Sequence, residues 1–469
     1  CGGRAMKIAI SGFKGESPIL DPRLLPESQA QTARNVYLRR GTLKPHRGTQ
    51  SVSSLPSTIN PANLFHYDEG NNGNGFWFSW GDQYDIDVVR SPLADDDYGR
   101  VYWTGQNAPK MASILDATSG SGPYPSQWDD LGVPAPDVPP NATAPSNRSE
   151  VPEIAVETAY VVTLVTEYGE EGPPTNPSQF VMRWDDVGGS PDGGEVELGL
   201  PNQTSSNQIF TKKRIYRVES GNTYQFVAEV DSSQATLIDN VPSERLGMVL
   251  PSLEWDGPNP KMVGLTGLPN GVMAGFFDNT LAFSEPYLPH AWPVSYRLTF
   301  PEPIVGLASV SSGLIVTTRG QPWIVTGSSP EAMAQMPLEI NQPCISKDSI
   351  VDMGGYALYA SYDGLVAIGQ NQANVVTTNV FSREQWQALK PETIHAYRYD
   401  GQYLAFYDGG CMAFHPERGV QFYDTSATGG YYDVTDDNLY VIQGNSIAAW
   451  DRGNPMSFTW RSKINEFPP

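Results

Sequence analysis

Between Pro258 and Trp460 one unit recurs five times: an apolar run, a tight turn and a second apolar run. The segments are 271–285 (GVMAGFFDNTLAFSE), 304–327, 355–370 (GYALYASYDGLVAIGQ), 396–415 (AYRYDGQYLAFYDGGCMAFH) and 431–450. Their turns carry Asp278-Asn279, Ser312-Gly313, Asp363-Gly364, Asp400-Gly401 and Asp437-Asn438. Such pairs tolerate the positive φ that a two-residue hairpin turn demands, so each unit reads as a β-hairpin. The turns are spaced by 35, 50, 37 and 37 residues. Hairpin units repeating at that scale are the signature of a β-propeller, because one small sheet cannot bury both faces and must stack on its neighbours. The 45 glycines and 40 prolines supply the turns such a fold needs, and 11% aromatic residues supply its cores.

The expected fold is therefore all-β: a propeller of about six blades. Residues 258–469 carry five blades, and the short strands within 62–105 supply a first blade, assigned to 51–115. Closing the ring would bring the N-terminal segment beside the C-terminal one. Residues 116–152 are rich in Pro, Ser and Gly and read as a linker in turns and polyproline II. Residues 153–245 hold alternating runs such as Ala159–Thr166 and Ile209–Val218, five or six strands in about 90 residues, the size of a β-sandwich. Residues 1–50 read as an extended basic arm, with a hairpin at NVYLRRGTLKPHRG (35–48) turning at Arg40-Gly41. The five residues before Met6 are set aside from the fold.

Charge is unevenly spread. The chain has a formal charge of −22, yet residues 1–50 hold nine Lys/Arg against three acids. The arm is +6 and the remainder −28, so most of the surface repels nucleic acid. No apolar run approaches the roughly 20 residues that span a bilayer, which excludes insertion as a membrane helix. No secretory apolar region follows Met6.

Catalytic and metal signatures are missing from the pattern. The five histidines (His46, His66, His290, His395, His415) show no metal spacing. Cys1, Cys344 and Cys411 form no disulfide framework, and Cys344 and Cys411 are expected as buried free thiols, with a pair between them as the alternative if the fold brings them together. No Walker, G-x-S-x-G or dinucleotide motif sits between a strand and a helix. Two acidic clusters, Asp95-Asp96-Asp97 and Asp185-Asp186 with Asp192 and Glu195, read as solvated turn acids, with an adventitious or structural calcium as the alternative. Trp292, Trp323, Trp450 and Trp460 are expected in inter-blade cores, with a sugar platform as the alternative. No enzyme, cofactor or metal is expected.

Three stretches carry a resemblance. The lead-in ILDPRLLP followed by NVYLRRGTLKPHRG resembles the start of tail tube or nozzle proteins of short-tailed bacteriophages. VVTLVTEYGEEGPPTNPS (161–178), KRIYRVESGNTYQFVAEV (213–230) and TLIDNV (236–241) are similar to the fibronectin type III-like insertion of those proteins, and SFTWRSK (457–463) to their closing strand. Here Gly169–Gly172 precedes the RIYR strand, so the sandwich is either circularly permuted or only Ig-like. The resemblance implies a virion structural protein of the tail, assembled in the host cytoplasm. It implies a hexameric ring below the head-to-tail adaptor, near tail fibres or spikes, through which double-stranded DNA passes without stable binding. Arg34, Arg39, Arg40 and Arg47 are then the candidates for docking on an acidic adaptor or neighbouring subunit. A receptor- or glycan-binding tail component is the alternative, and a propeller hydrolase a distant third.

Overall fold

The structure is a computed structural model, and it describes residues 9–38, 41–57, 59–70, 73–144, 154–185, 194–202, 208–221, 223–369 and 372–465. Five of the predicted hairpins fold as expected. Each lies within a blade built on four antiparallel strands: 263–299 (blade 3), 304–337 (blade 4), 351–375 (blade 5), 395–423 (blade 6) and 430–449 completed from elsewhere (blade 7). The Asp400-Gly401 turn shows why the pairing was legible: both residues have positive φ, 51° and 69°.

Blade 2 comprises Asp87–Arg90, Val101–Thr104, Lys110–Ala112 and Asp129–Asp130. The hairpin Pro61–Tyr67 with Phe76–Gly81 forms a two-stranded blade 1. It packs on blade 7 and is tied to blade 2 by Asn63, whose amide donates to the Tyr84 carbonyl and accepts from the Ile86 N–H. Six blades of four or more strands and this one hairpin thus surround the axis. Apolar clusters fill all seven blade interfaces. Blades 3 and 4 share Phe283, Phe300, Val316 and Trp323; blades 5 and 6 share Leu365, Trp386, Tyr403 and Phe414; blades 7 and 1 share Ile442, Ile447 and Leu64.

The N-terminal segment departs from the expectation of a separate arm. Ala30–Arg34 pairs parallel with the outer strand of blade 6, and Thr459–Ser462 pairs antiparallel with Ala30–Arg34, giving a six-stranded sheet. Gln50–Ser54 pairs with Ser446–Ala449 as the outer strand of blade 7. Ala30, Ala33, Val36 and Leu38 are buried together. The ring is therefore closed by a strand from the start of the chain. The hairpin read at 35–48 is present as Val36–Tyr37 against Lys44–Pro45, while its turn residues Arg39 and Arg40 lie outside the described residues.

Two further boundaries are corrected. Residues 51–115 are not one blade, because their strands are shared among blades 7, 1 and 2. The linker at 116–152 carries the outer strand of blade 2 and, at Asn141–Thr143, the first strand of the sandwich. Both strands are short and polar, so nothing in their composition sets them apart from turns. The sandwich, inserted between blades 2 and 3, has a three-stranded sheet (Asn141–Thr143, Val196–Gly199, Thr236–Asp239) and a four-stranded one (Val181–Arg183, Val156–Thr166, Phe210–Val218, Gln225–Asp231). It starts earlier than residue 153, and Val249 still bridges to Gln225 at its far end.

Candidate functional site

The inner strands and loops of all seven blades enclose an axial cavity of about 650 Å³. That is the size of a small-molecule pocket, and no duplex passes through it. Its wall is acidic, with Asp82, Asp85, Asp87, Asp348 and Glu392. Lys347 Nζ bridges Asp85 Oδ1 (2.5 Å) and Asp87 Oδ2 (2.6 Å), fastening blade 2 across the axis to the loop before blade 5. Both carboxylates raise the Lys347 ammonium against the cost of burying it, so it stays charged. Surrounding protein takes bulk water from the Asp348 carboxyl and Asp85 adds repulsion, which pushes it up to about 6. Burial pushes the neighbouring His395 down to about 4.

A pH prediction follows. The Asp348 carboxyl ionises near pH 3.8 when unfolded and near 6 when folded, so the folded chain holds the extra proton in between. Its contribution therefore falls as pH rises from about 4 to about 6. Asp348→Asn is expected to match the parent at pH 4 and to exceed it in urea midpoint at pH 7.5. Equal midpoints at pH 7.5 would mean that the carboxyl is not crowded.

The sandwich meets the propeller at a buried charge cluster. Arg100 of blade 2 donates through Nε to Asp96 (2.8 Å) and through Nη1 to Glu170 (2.6 Å), all three nearly sequestered from water. Adjacent in sequence, Glu171 faces the other way, accepting from Thr163 Oγ1 and Tyr216 OH (2.7 Å each) and from Arg214 Nη1 (2.7 Å). The Glu170-Glu171 pair in the Glu167–Gly172 turn thus binds the insertion to its host on one side and to its own sheet on the other. Asp96, read as a turn acid, is a buried partner in this cluster, and Asp185 pairs with Arg183 (2.8 Å). Asp186 and Asp192 lie outside the described residues. Among the described residues no three His, Cys, Asp or Glu side chains converge as a metal site.

The predicted docking arginines are placed as follows. Arg34 Nη1 donates to Asp424 at 2.5 Å on an exposed surface, and Asn35 Nδ2 reaches the other oxygen of the same carboxylate at 2.7 Å. Arg47 Nε donates to the Gly453 carbonyl (2.8 Å) and its N–H to Asp451 (3.0 Å). Both tie the N-terminal segment to blades 6 and 7, while Arg39 and Arg40 lie outside the described residues. Trp292, Trp323 and Trp450 are buried in blade cores, while half-buried Trp460 packs edge-on against Phe13 (4.8 Å). Cys344 and Cys411 are buried and free, the former pushed up to about 12 by burial. Sequence reasoning missed the Lys347 cluster because its members are about 260 residues apart and none stands in a motif.

No protein-family model matches the chain, nor does any curated protein. Similar solved structures include BBS1N in its complex with ARL6DN (7% identity, TM-score 0.34, 88% of this chain against all of that one). Saccharomyces cerevisiae Sqt1 is similar at 9% identity and TM-score 0.31, over 87% of this chain and all of that one. Kluyvelomyces marxianus Hsv2 follows at 10% identity and TM-score 0.26, over 53% and 69%. The propeller assignment rests on the chain's own sheet order and its ring of interfaces.

Proposed function

We propose that this chain is a structural subunit of the tail nozzle of a short-tailed bacteriophage. Copies of it form a ring, hexameric by the resemblance, below the head-to-tail adaptor and beside the fibres or spikes. The genome is retained above that ring and leaves through it. The observation that carries this reading is the charge distribution: a chain of −22 whose first 50 residues hold nine Lys/Arg against three acids, so that the remainder is strongly acidic. A conduit for DNA must not bind it. Each phosphate neutralised by a cation releases counterions and holds the duplex, whereas a carboxylate-lined wall leaves it free to slide. The axial cavity of a single copy is too small for this, so the conduit is bounded by several copies around a common axis. A glycan-binding reading finds less support, since three of its four candidate tryptophans are buried.

The corresponding expectation is that the purified chain does not retain linear duplex DNA in a filter or gel-shift assay, even at about 50 mM salt where phosphate contacts are strongest. Micromolar retention that weakens steeply by about 200 mM salt would contradict the conduit.

A further inference from the structure

Two surfaces of opposite charge stand on this chain, too far apart to meet within one copy. The first is the outer edge of blade 6. There Thr459–Ser462 is the last strand of the six-stranded sheet, paired on one side only. Arg461 is exposed, Lys463 half-buried, and neither makes an ion pair among the described residues, although the chain carries a large excess of carboxylates. Phe458 and Ile464 flank the strand with exposed apolar side chains. Trp460 anchors it from behind, its Nε1 donating to the Lys14 carbonyl (3.0 Å). An edge strand offers unpaired backbone groups to any chain that fits it.

The second surface is a crevice of about 470 Å³ where the sandwich leans on blade 2. Asp116, Asp129 and Glu167 line it, together with Trp128 and Ile209. Asp116 accepts from Ser113 Oγ (2.6 Å) and Tyr168 OH (3.3 Å), while Asp129 and Glu167 are raised first by burial and then by neighbouring carboxylates. Among the described residues no cation pairs with either of these two. Leu115 beside the crevice is 79% exposed, and Ile209 and Trp128 also face solvent. The site is acidic, apolar and aromatic, which suits a cationic strand with apolar flanks: the ammonium or guanidinium meets carboxylate and indole, and the flanks cover Leu115 and Ile209.

We propose that the edge strand Thr459–Ser462, with Arg461 and Lys463, seats against the Asp116–Asp129–Glu167 crevice of a second copy of this chain. Blades 3, 4 and 5 separate the two surfaces one way round the propeller and blades 7 and 1 the other, so a copy cannot satisfy its own crevice. The contact is head-to-tail, and head-to-tail contacts close into rings when the rotation allows. Charge complementarity selects the occupant. Most of the surface of one copy repels another, and these are patches of opposite sign carried by the same chain. The inference rests on the ring reading above and names its interface.

The test uses the full chain in sedimentation velocity with negative-stain imaging. The rim variant (Arg461→Glu with Lys463→Glu) and the crevice variant (Asp129→Lys with Glu167→Lys) are each expected to weaken association by tenfold or more. Carrying all four changes on one chain is expected to restore it. A mixture of the two variants is expected to associate, because each then offers what the other lacks. Near-ultraviolet circular dichroism checks the fold, and the milder Asp129→Asn with Glu167→Gln, which removes charge without reversing it, serves if a reversal disturbs it. Rings that form equally well in both reversal variants would overturn this contact and leave the ring reading intact. A parent chain that stays monomeric at every concentration would remove the ring reading, and the contact with it.

Discussion

Asp239→Ala is expected to destabilise the sandwich by about 3–5 kcal/mol, the cost of removing one partner from a buried ion pair. Asp239 and Arg217 are both 0% exposed, and Arg217 Nη1 donates to Asp239 Oδ2 at 2.6 Å. The same oxygen accepts from Tyr160 OH (2.7 Å), while Oδ1 accepts from the Val241 N–H (3.0 Å). Without the carboxylate, two buried guanidiniums remain close together, since Arg183 also lies within 3.7 Å of it. Glu219 and Asp185 sit at the margin of this network and compensate only in part. Arg217→Met combined with Asp239→Leu removes both charges, and its cost is expected to be far less than the sum of the two single changes. Trp184 is the one tryptophan between residues 141 and 250, so the difference in emission between a chain that keeps it and its Trp184→Phe counterpart, followed through a urea titration, reads the sandwich. Asp239→Ala should advance that transition and leave the propeller's nearly in place. A shift of both together would mean that the two units unfold as one.

The second large effect concerns ring closure. A chain that starts at Leu55 loses Ala30–Arg34 from blade 6 and Gln50–Ser54 from blade 7, together with the buried cluster of Ala30, Ala33, Val36 and Leu38. It also loses His46, which is buried against Tyr423 and Trp450 with Nδ1 at 3.2 Å from Asp451. Val36 and Leu38 at roughly 1.5–3 kcal/mol each, with the two alanines at about 0.8 kcal/mol each, together amount to much of the net stability of an ordinary domain. The truncated chain is expected to lose its cooperative thermal transition. Moving residues 9–54 behind residue 465 through a flexible linker should restore it, because the lost contacts depend on position in space and not on chain order. Ile464 N–H already donates to the Pro22 carbonyl, so the two ends lie close enough to join. A truncated chain that melts like the parent would show that the closure strands carry no weight.

Physical range decides what the sequence could tell. The hairpins of blades 3 to 7 announce themselves because strand, turn and strand are contiguous, and Asp-Gly, Asp-Asn or Ser-Gly marks the reversal. Contacts between distant segments leave no such mark. Gln50–Ser54 reads QSVSS, polar and short, and becomes a strand only because Ser446–Ala449 offers an unpaired edge nearly 400 residues later. Asp129–Asp130 likewise becomes a strand through Lys110–Ala112 and not through its own propensity. The N-terminal arginines were legible as a cluster of charge, but the partner of Arg34, Asp424, was not. The acidic crevice was legible only in pieces, since Asp116, Asp129 and Glu167 come from what reads as linker and turn. The charge asymmetry itself was plain from composition, and it remains the strongest pointer to function.

The measurement that tests the central claim most directly is labelling of intact virus particles with gold-tagged antibody against this chain, followed by six-fold averaging of the tail. The ring reading predicts label encircling the axis at the distal end of the tail stem. Label on peripheral spikes, or no label on any particle, would contradict it.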